Sequence, residues 1–152
     1  MNMNMNRLPV PTWNHLGVNF APDKAALPQV PANGWGTAAA TAAVPAGIRT
    51  NGPETEIFET FTESGMGVAA DAFLAANANV KEHLAVGEGA AIETPAVFEV
   101  KLDEAHPCAL SCLTIDAAKD SSLTVVQVLR GDAEDGVAAS LVRINAAEGA
   151  HV

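Results

Sequence analysis

A short repeat in the C-terminal third of the chain most constrains what the chain can fold into. Residues 115–123, Ile-Asp-Ala-Ala-Lys-Asp-Ser-Ser-Leu, match residues 144–152, Ile-Asn-Ala-Ala-Glu-Gly-Ala-His-Val, at an offset of 29 residues. Each copy follows a strand-like run, at 109–115 and at 137–144, and a run rich in β-branched residues at 123–129 follows the first copy. One period therefore holds two strands and two turns.

A strand-turn-strand unit of this length is typical of stacked architectures. In these, each unit buries its apolar face against the next one along the stack. Val152 falls where a further strand should begin, so we expect the chain to be the N-terminal part of a longer solenoid or a truncated chain. The competing interpretation is a chance similarity between two alanine-rich β-turns.

Charge and composition exclude several classes of function. The chain has 152 residues, which suits one domain, and 8 basic against 18 acidic residues give a formal net charge of −10. Such a charge repels phosphate backbones and anionic lipid surfaces, so we expect neither nucleic acid nor membrane as a partner. No apolar run approaches the length of a membrane span, and residues 1–6 do not resemble a signal peptide. These features predict a cytoplasmic protein.

The N-terminal half gives weak structural signals. Residues 1–6 alternate Met and Asn and read as a disordered leader, and 7–79 read as an irregular region containing one short helix. Within it, the proline-rich stretch 21–53 is expected to be a long irregular connection, with at most one brief helix in its alanine run. A short strand is predicted at 54–62, and the helix is predicted near 68–76 with Ser64 as its N-cap.

The periodicity changes from helical to alternating at Val80. Residues 96–102 give the clearest case, because every second residue is apolar and the intervening ones include Glu99 and Lys101. Strands are predicted to begin near residues 80, 95, 108, 121 and 137, separated by short turns that carry glycine or acidic residues. Residues 80–152 are therefore predicted to be the first coils of a mainly β stack.

Two cysteines are the first candidates for chemistry. Cys108 and Cys112 are four residues apart, and in an extended strand this separation spans about 13 Å, too far for a disulfide or for one shared metal ion. We therefore expect both to be buried thiols on one face of a strand.

Other residues with reactive side chains give no complete site. His106 lies near Cys108, but no orienting Asp or Asn can be assigned, and His15 reads as a polar neighbour of Trp13 in a loop. The acidic turn at 131–136 lacks the ligand spacing of a calcium loop. The sequence therefore predicts no catalytic, cofactor-binding or metal-binding residues, and a protein that is not an enzyme.

Four segments together resemble a known family. They are residues 7–19 (Arg-Leu-Pro-Val-Pro-Thr-Trp-Asn-His-Leu-Gly-Val-Asn), residues 65–73 (Gly-Met-Gly-Val-Ala-Ala-Asp-Ala-Phe), residues 123–129 and residues 144–152. They resemble the N-terminal portion of a SufD-like protein of the SufB/SufD family, which takes part in iron–sulfur cluster assembly. The likeness covers most of the chain from Arg7, except for residues 21–53.

The resemblance implies a right-handed parallel β-helix with two strands in each coil. This one would be incomplete, with an open C-terminal end, and preceded by the irregular N-terminal region. It also implies a non-catalytic scaffold subunit that pairs with a SufB-like subunit and, in the full-length protein, engages a SufC-type ATPase. The complex handles an iron–sulfur cluster, but no cofactor-binding residue of the family falls in this chain. Self-association through the open end of the helix is a further expectation.

Two other classes of protein fit parts of the pattern. A small β-sandwich interaction module would pair the same strands antiparallel through their turns, and would not need to stack Ile115 on Ile144. A polysaccharide-cleaving β-helix enzyme would need a cluster of Asp and Arg residues, which the sequence does not show. The pairing direction of neighbouring strands therefore discriminates the scaffold from the sandwich.

Overall fold

The computed structural model describes residue 36 and residues 38–51, 68–131 and 136–152. This part of the chain is mainly β, with one short helix. The elements are β1 (Ala39–Ala43), β2 (Ile48–Asn51), α1 (Val68–Asn77), β3 (Val80–Val86), β4 (Ala96–Leu102), β5 (Cys108–Ala117), β6 (Val125–Gly131) and β7 (Val137–Ala146).

The strands form two mixed sheets. One has the order β1-β4-β6 and the other the order β2-β3-β5-β7, so from β4 onwards each strand lies in a different sheet from the strand before it. The pairs β3–β5, β5–β7 and β4–β6 are parallel. The pairs β1–β4 and β2–β3 are antiparallel. Strands β3 to β7 therefore do not form the antiparallel pairs that the sandwich hypothesis predicts.

The parallel register places the two copies of the repeat directly beside each other. Ile115 pairs with Ile144, and the pairing continues along all ten residues of β5 and β7 at an offset of 29. β4 and β6 share this offset, as Ala96 pairs with Val125. The period found in the sequence is therefore the spacing between successive layers of strands.

The first layer is two residues longer than the second. β3 pairs with β5 at an offset of 31, and the isolated bridge between Ala91 and Ser122 keeps that offset, but the β4–β6 pairing has already returned to 29. The two additional residues therefore lie in the corner at 92–95. The ladders on either side of this corner stay in register.

The turns of successive layers also stack on one another. Gly89, Asp120 and Gly149 occupy equivalent positions, with φ of 67°, 55° and 72°. Each is the third residue of a β-turn closed by a backbone hydrogen bond, and positive φ at that position is the mark of a type II turn. The turn amides of Gly89 and Asp120 also donate to carbonyls of the next layer, those of Lys119 and Glu148, at 2.9 and 3.0 Å.

These turns show that residues 84–92 form a third copy of the repeat, which the sequence comparison missed. None of its nine residues is identical to its counterpart in the copy at 115–123, so only the register and the turn geometry reveal the equivalence.

The main core lies between the two sheets. Alternation in β4 turns every second residue inward, which is why Ala96, Phe98, Val100 and Leu102 are buried. Facing residues from β3 and β5 complete the largest buried cluster. That cluster consists of Leu84, Val86, Ala96, Phe98, Leu113, Ile115, Ala117 and Leu123.

Helix α1 confirms the predicted helix and covers the outer face of β5. Leu74 packs with Cys108 and Leu110 in a second buried cluster. Asn79, between α1 and β3, ties this junction to β5, since its side chain accepts from the Leu110 amide at 2.9 Å and donates to the Cys108 carbonyl at 3.0 Å. Strands β3, β4, β5 and β7 begin within one residue of the predicted starts, and β6 begins four residues later than predicted.

One prediction for the N-terminal half was wrong in the part that the structure describes. The stretch 21–53 was expected to be irregular with at most a brief helix in its alanine run, but Ala39–Ala43 and Ile48–Asn51 are strands. Ala40 pairs with Val100, so hydrogen bonding to the exposed edge of β4 overrides the helix propensity of alanine. The predicted leader at 1–6, the strand at 54–62 and the cap at Ser64 lie outside the described residues.

Within the described ranges, no helix is both long enough and apolar enough to cross a bilayer.

Candidate functional site

Both cysteines are buried in β5 as free thiols. Cys108 packs beside Leu74 and Leu110 under α1, and Cys112 lies farther along the same strand, beside Lys81 of β3 in register. Burial raises the pKa of both thiols; for Cys112 it reaches about 12, although the Lys81 charge acts in the opposite direction. A buried thiol with a raised pKa is a poor nucleophile and a poor metal ligand.

His106 has an orienting carboxylate that the sequence did not reveal, but the pair closes a turn. Asp103 Oδ1 accepts hydrogen bonds from the backbone amides of Ala105 and His106, at 3.1 and 2.9 Å, and from His106 Nδ1 at 2.9 Å. The hydrogen bond from the His106 side chain is the main cause of the lowered pKa of Asp103. Asp103 thus forms an Asx-type turn between β4 and β5.

The remaining sequence candidates fall mainly outside the described residues, which do not include His15 or most of the acidic turn at 131–136. In the part of the chain that the structure describes, no group of three His, Cys, Asp or Glu side chains is placed to hold a metal ion.

A row of polar side chains crosses the outer face of β3, β5 and β7. Both oxygens of the Asp116 carboxylate are engaged, since Oδ2 lies 2.6 Å from His83 Nε2 and Oδ1 accepts from Asn145 Nδ2 at 2.6 Å. Burial opposes the charge of Asp116, but these two hydrogen bonds, with the charges of His83 and Arg143, lower its pKa below the ordinary value. The row ties the three parallel strands together.

A second polar bridge joins the two sheets at the open end of the stack, where Ser111 is buried and Gln127 and Ser140 are exposed. Gln127 of β6 donates from Nε2 to Ser111 Oγ of β5 at 2.9 Å, and its Oε1 accepts from Ser140 Oγ of β7 at 2.7 Å. Ser111 and Ser140 are themselves register partners. The sequence carries one signal for this bridge: Gln127 is the polar residue of the otherwise aliphatic run 125–129 (Val-Val-Gln-Val-Leu), and it lies at an inward position.

The inner side of β3 also carries one acidic residue. Glu82 lies on the same face of β3 as Val80 and Leu84, and burial raises the pKa of its carboxyl group. It borders a cavity of about 50 Å³ that Phe98 of β4 also lines.

The most extensive candidate site is an exposed aliphatic surface at one end of the stack. Leu129, Val142 and Ile144 are register partners of the buried Val100, Leu113 and Ile115 and so face the same way, yet they are 56%, 44% and 50% exposed. We call these three residues the β6–β7 face. Among the described strands, none pairs with the free edges of β6 and β7.

At the opposite end of each sheet the edge is covered, because β1 pairs antiparallel with β4 and β2 pairs antiparallel with β3. A groove of about 170 Å³ opens beside the β6–β7 face, with Gln127 and Ser140 in its lining. An apolar layer next to two strand edges is the type of surface that takes up another β-element.

Comparison of the chain with family models, with curated proteins and with solved structures finds no match.

Proposed function

We propose that this chain is a non-catalytic scaffold built on a right-handed parallel β-helix, and that the β6–β7 face is where it contacts another β-element. The observation that carries the proposal is the parallel layering of β3, β5 and β7, with Ile115 beside Ile144, and of β4 with β6. In such a stack each layer buries its aliphatic face only when another layer covers it.

The chemistry of the described residues supports a binding role. The two thiols are buried and hard to ionise, and His106 is held in a turn. The β6–β7 face, by contrast, presents uncharged aliphatic side chains beside strand edges, which suits an apolar, hydrogen-bonding partner.

The more specific form of the proposal rests on the family resemblance. The segments at 7–19 and 65–73 resemble a SufD-like protein, so the partners would be a SufB-like subunit and a SufC-type ATPase in iron–sulfur cluster assembly. In this role the chain contributes structure, and the cluster is handled by the complex. A cytoplasmic location would follow from that system.

Co-purification tests the proposal directly. The chain is co-expressed with a SufB-like subunit and a SufC-type ATPase, and complex formation is measured by affinity capture followed by size-exclusion chromatography with light scattering. The wild-type chain should co-elute with the SufB-like subunit. Leu129→Glu places a charge in the β6–β7 face and should weaken capture at least about tenfold, because a buried unpaired charge is costly.

Val126→Glu is the matched control. Val126 is in the same strand and is 39% exposed, but it lies on the opposite face of β6. It should leave capture unchanged, and circular dichroism should show both variants folded. Loss of capture in both variants, or a wild-type chain that stays a dilution-stable monomer beside these partners, would refute the proposal.

A β-sandwich interaction module remains the alternative from the sequence. It predicts antiparallel pairing between neighbouring strands, whereas the contacts among β3 to β7 are parallel. The antiparallel pairs of β1 and β2 are confined to the far end of the sheets. The geometry therefore favours the stacked scaffold.

A further inference from the structure

We propose that Gln127 fixes the register of β7 on β5, acting as a clamp between the two sheets. Its amide bridges Ser111 and Ser140, which come from different strands of the other sheet and are opposite each other only in the observed register. Ser111 is buried, whereas Gln127 and Ser140 are exposed at the open end of the stack, so the bridge acts through the geometry of its two hydrogen bonds. A wrong alignment leaves the bond between Gln127 and Ser140 unmade.

The aliphatic contacts alone discriminate poorly between registers. In the observed alignment Leu113 and Ile115 pair with Val142 and Ile144. If β7 slips by two residues, Val142 moves opposite Ile115 and Ile144 moves opposite Ala117, so two aliphatic pairs remain on the same face and only Leu113 loses its aliphatic partner. A two-residue slip also preserves which side chains point inward.

The outer polar row does not prevent this slip. In the observed register Asp116 is opposite Asn145, and Arg143 is opposite Thr114. The same two-residue slip brings Arg143 opposite Asp116, which replaces a hydrogen bond with an ion pair. The carboxylate of Asp116 is therefore satisfied in both alignments.

The inner bridge responds differently to the slip. Ser140 moves from Ser111 to a position opposite Leu113, and Ala138 takes its place opposite Ser111. Gln127 then loses the hydroxyl group that donates to its Oε1. The first half of β7 depends most on this contact, because its residues (Val-Ala-Ala-Ser) are small and pack weakly. The second half is held separately, because it leads into the turn at 147–150, which is hydrogen-bonded to the layer before it.

Nuclear magnetic resonance of the full chain tests the clamp with Gln127→Leu, which keeps the side chain large and removes its hydrogen bonds. The wild type should show methyl contacts between Leu113 and Val142 and between Ile115 and Ile144. The variant should show a second set of β7 signals with an Ile115–Val142 contact. Amide exchange at residues 139–141 should accelerate about tenfold relative to β4, the effect expected for loss of two hydrogen bonds.

Two further variants complete the design. Thr124→Val makes a polar-to-apolar change just before β6, outside the bridge, and should alter neither the contacts nor the exchange rates. If Gln127→Leu fails to fold, the double variant Ser111→Ala/Ser140→Ala removes the partners of Gln127 and should give the same second set of signals. A single set of β7 signals with unchanged methyl contacts, and exchange within about twofold of the wild type, would overturn the proposal.

Discussion

Replacing Gly149 with alanine tests how tightly the turns of successive layers are stacked. Gly149 and Gly89 hold equivalent turn positions with nearly equal φ, 72° and 67°. Their surroundings differ, because a Cβ atom at Gly149 would overlap the Asp120 carboxylate, whereas a Cβ atom at Gly89 meets nothing within 4 Å. Gly89→Ala is therefore a matched control for the backbone strain alone.

The expected losses of stability follow from two terms, the backbone strain at positive φ and the steric overlap with the Asp120 carboxylate. An alanine in the left-handed region costs about 1–2 kcal/mol, and the reduced freedom of the unfolded chain offsets about 0.4–1 kcal/mol of this. Gly89→Ala should therefore lower the free energy of unfolding by about 1 kcal/mol. Gly149→Ala must also push the Asp120 side chain off its rotamer, which adds about 1 kcal/mol, for a total of about 2 kcal/mol.

A double-mutant cycle isolates the steric term. In an Asp120→Gly background the carboxylate is gone, so the cost of Gly149→Ala should fall to that of Gly89→Ala, giving a coupling of about 1 kcal/mol. Asp120→Gly alone should change stability little, because relief of its own positive φ offsets the greater freedom of glycine in the unfolded chain. Urea unfolding followed by far-ultraviolet circular dichroism gives all four values. Equal costs for the two glycine variants, or a coupling below about 0.3 kcal/mol, would refute the stacking argument.

Three other predictions concern the core, the outer polar row and the thiols. Leu84→Ala should lower the free energy of unfolding by about 2–5 kcal/mol because Leu84 is fully buried. Urea unfolding should show a loss of less than about 1 kcal/mol for Leu129→Ala, because Leu129 is exposed. The folded-state pKa of Asp116 is depressed, so its contribution to stability is complete above its unfolded pKa and lost as the pH falls through the folded value. Unfolding at pH 3 to 7 should therefore show a steeper acid loss in the wild type than in Asp116→Asn, and parallel curves would contradict this. Cys108 and Cys112 should resist a thiol reagent at pH 8 and react after unfolding in urea, because burial raises the pKa of both thiols. With a pKa of about 12, only roughly one Cys112 thiol in ten thousand is ionised at pH 8, so rapid labelling of the native chain would contradict this prediction.

Much of the C-terminal half could be predicted from the sequence because its signals are local. The alternation at 96–102 places each inward residue of β4, and the repeat at 115–123 and 144–152 aligns β5 with β7. The helix at 68–76 was also accessible, since a run of helix formers followed by Asn77 and Asn79 marks its end.

The missed features depend on contacts between distant segments. Four of the five residues at 39–43 are alanines, which favour a helix, and the segment becomes a strand because β4 offers it an edge. The partner of His106 was overlooked because Asp103 acts through a turn. The link from Gln127 to Ser111 and Ser140 needs two sheets to face each other, and no local pattern encodes that arrangement.

The corner at 92–95 shows where the stack accepts changes in length. Its two additional residues leave the ladders before and after it aligned, and Glu93, Thr94 and Pro95 are exposed. The vertical spacing of the layers is thus set by the strand ladders and is insensitive to the length of this connection. A short foreign peptide grafted between Glu93 and Thr94 should hang outward as a loop, which makes this corner a natural attachment point for a label or an epitope.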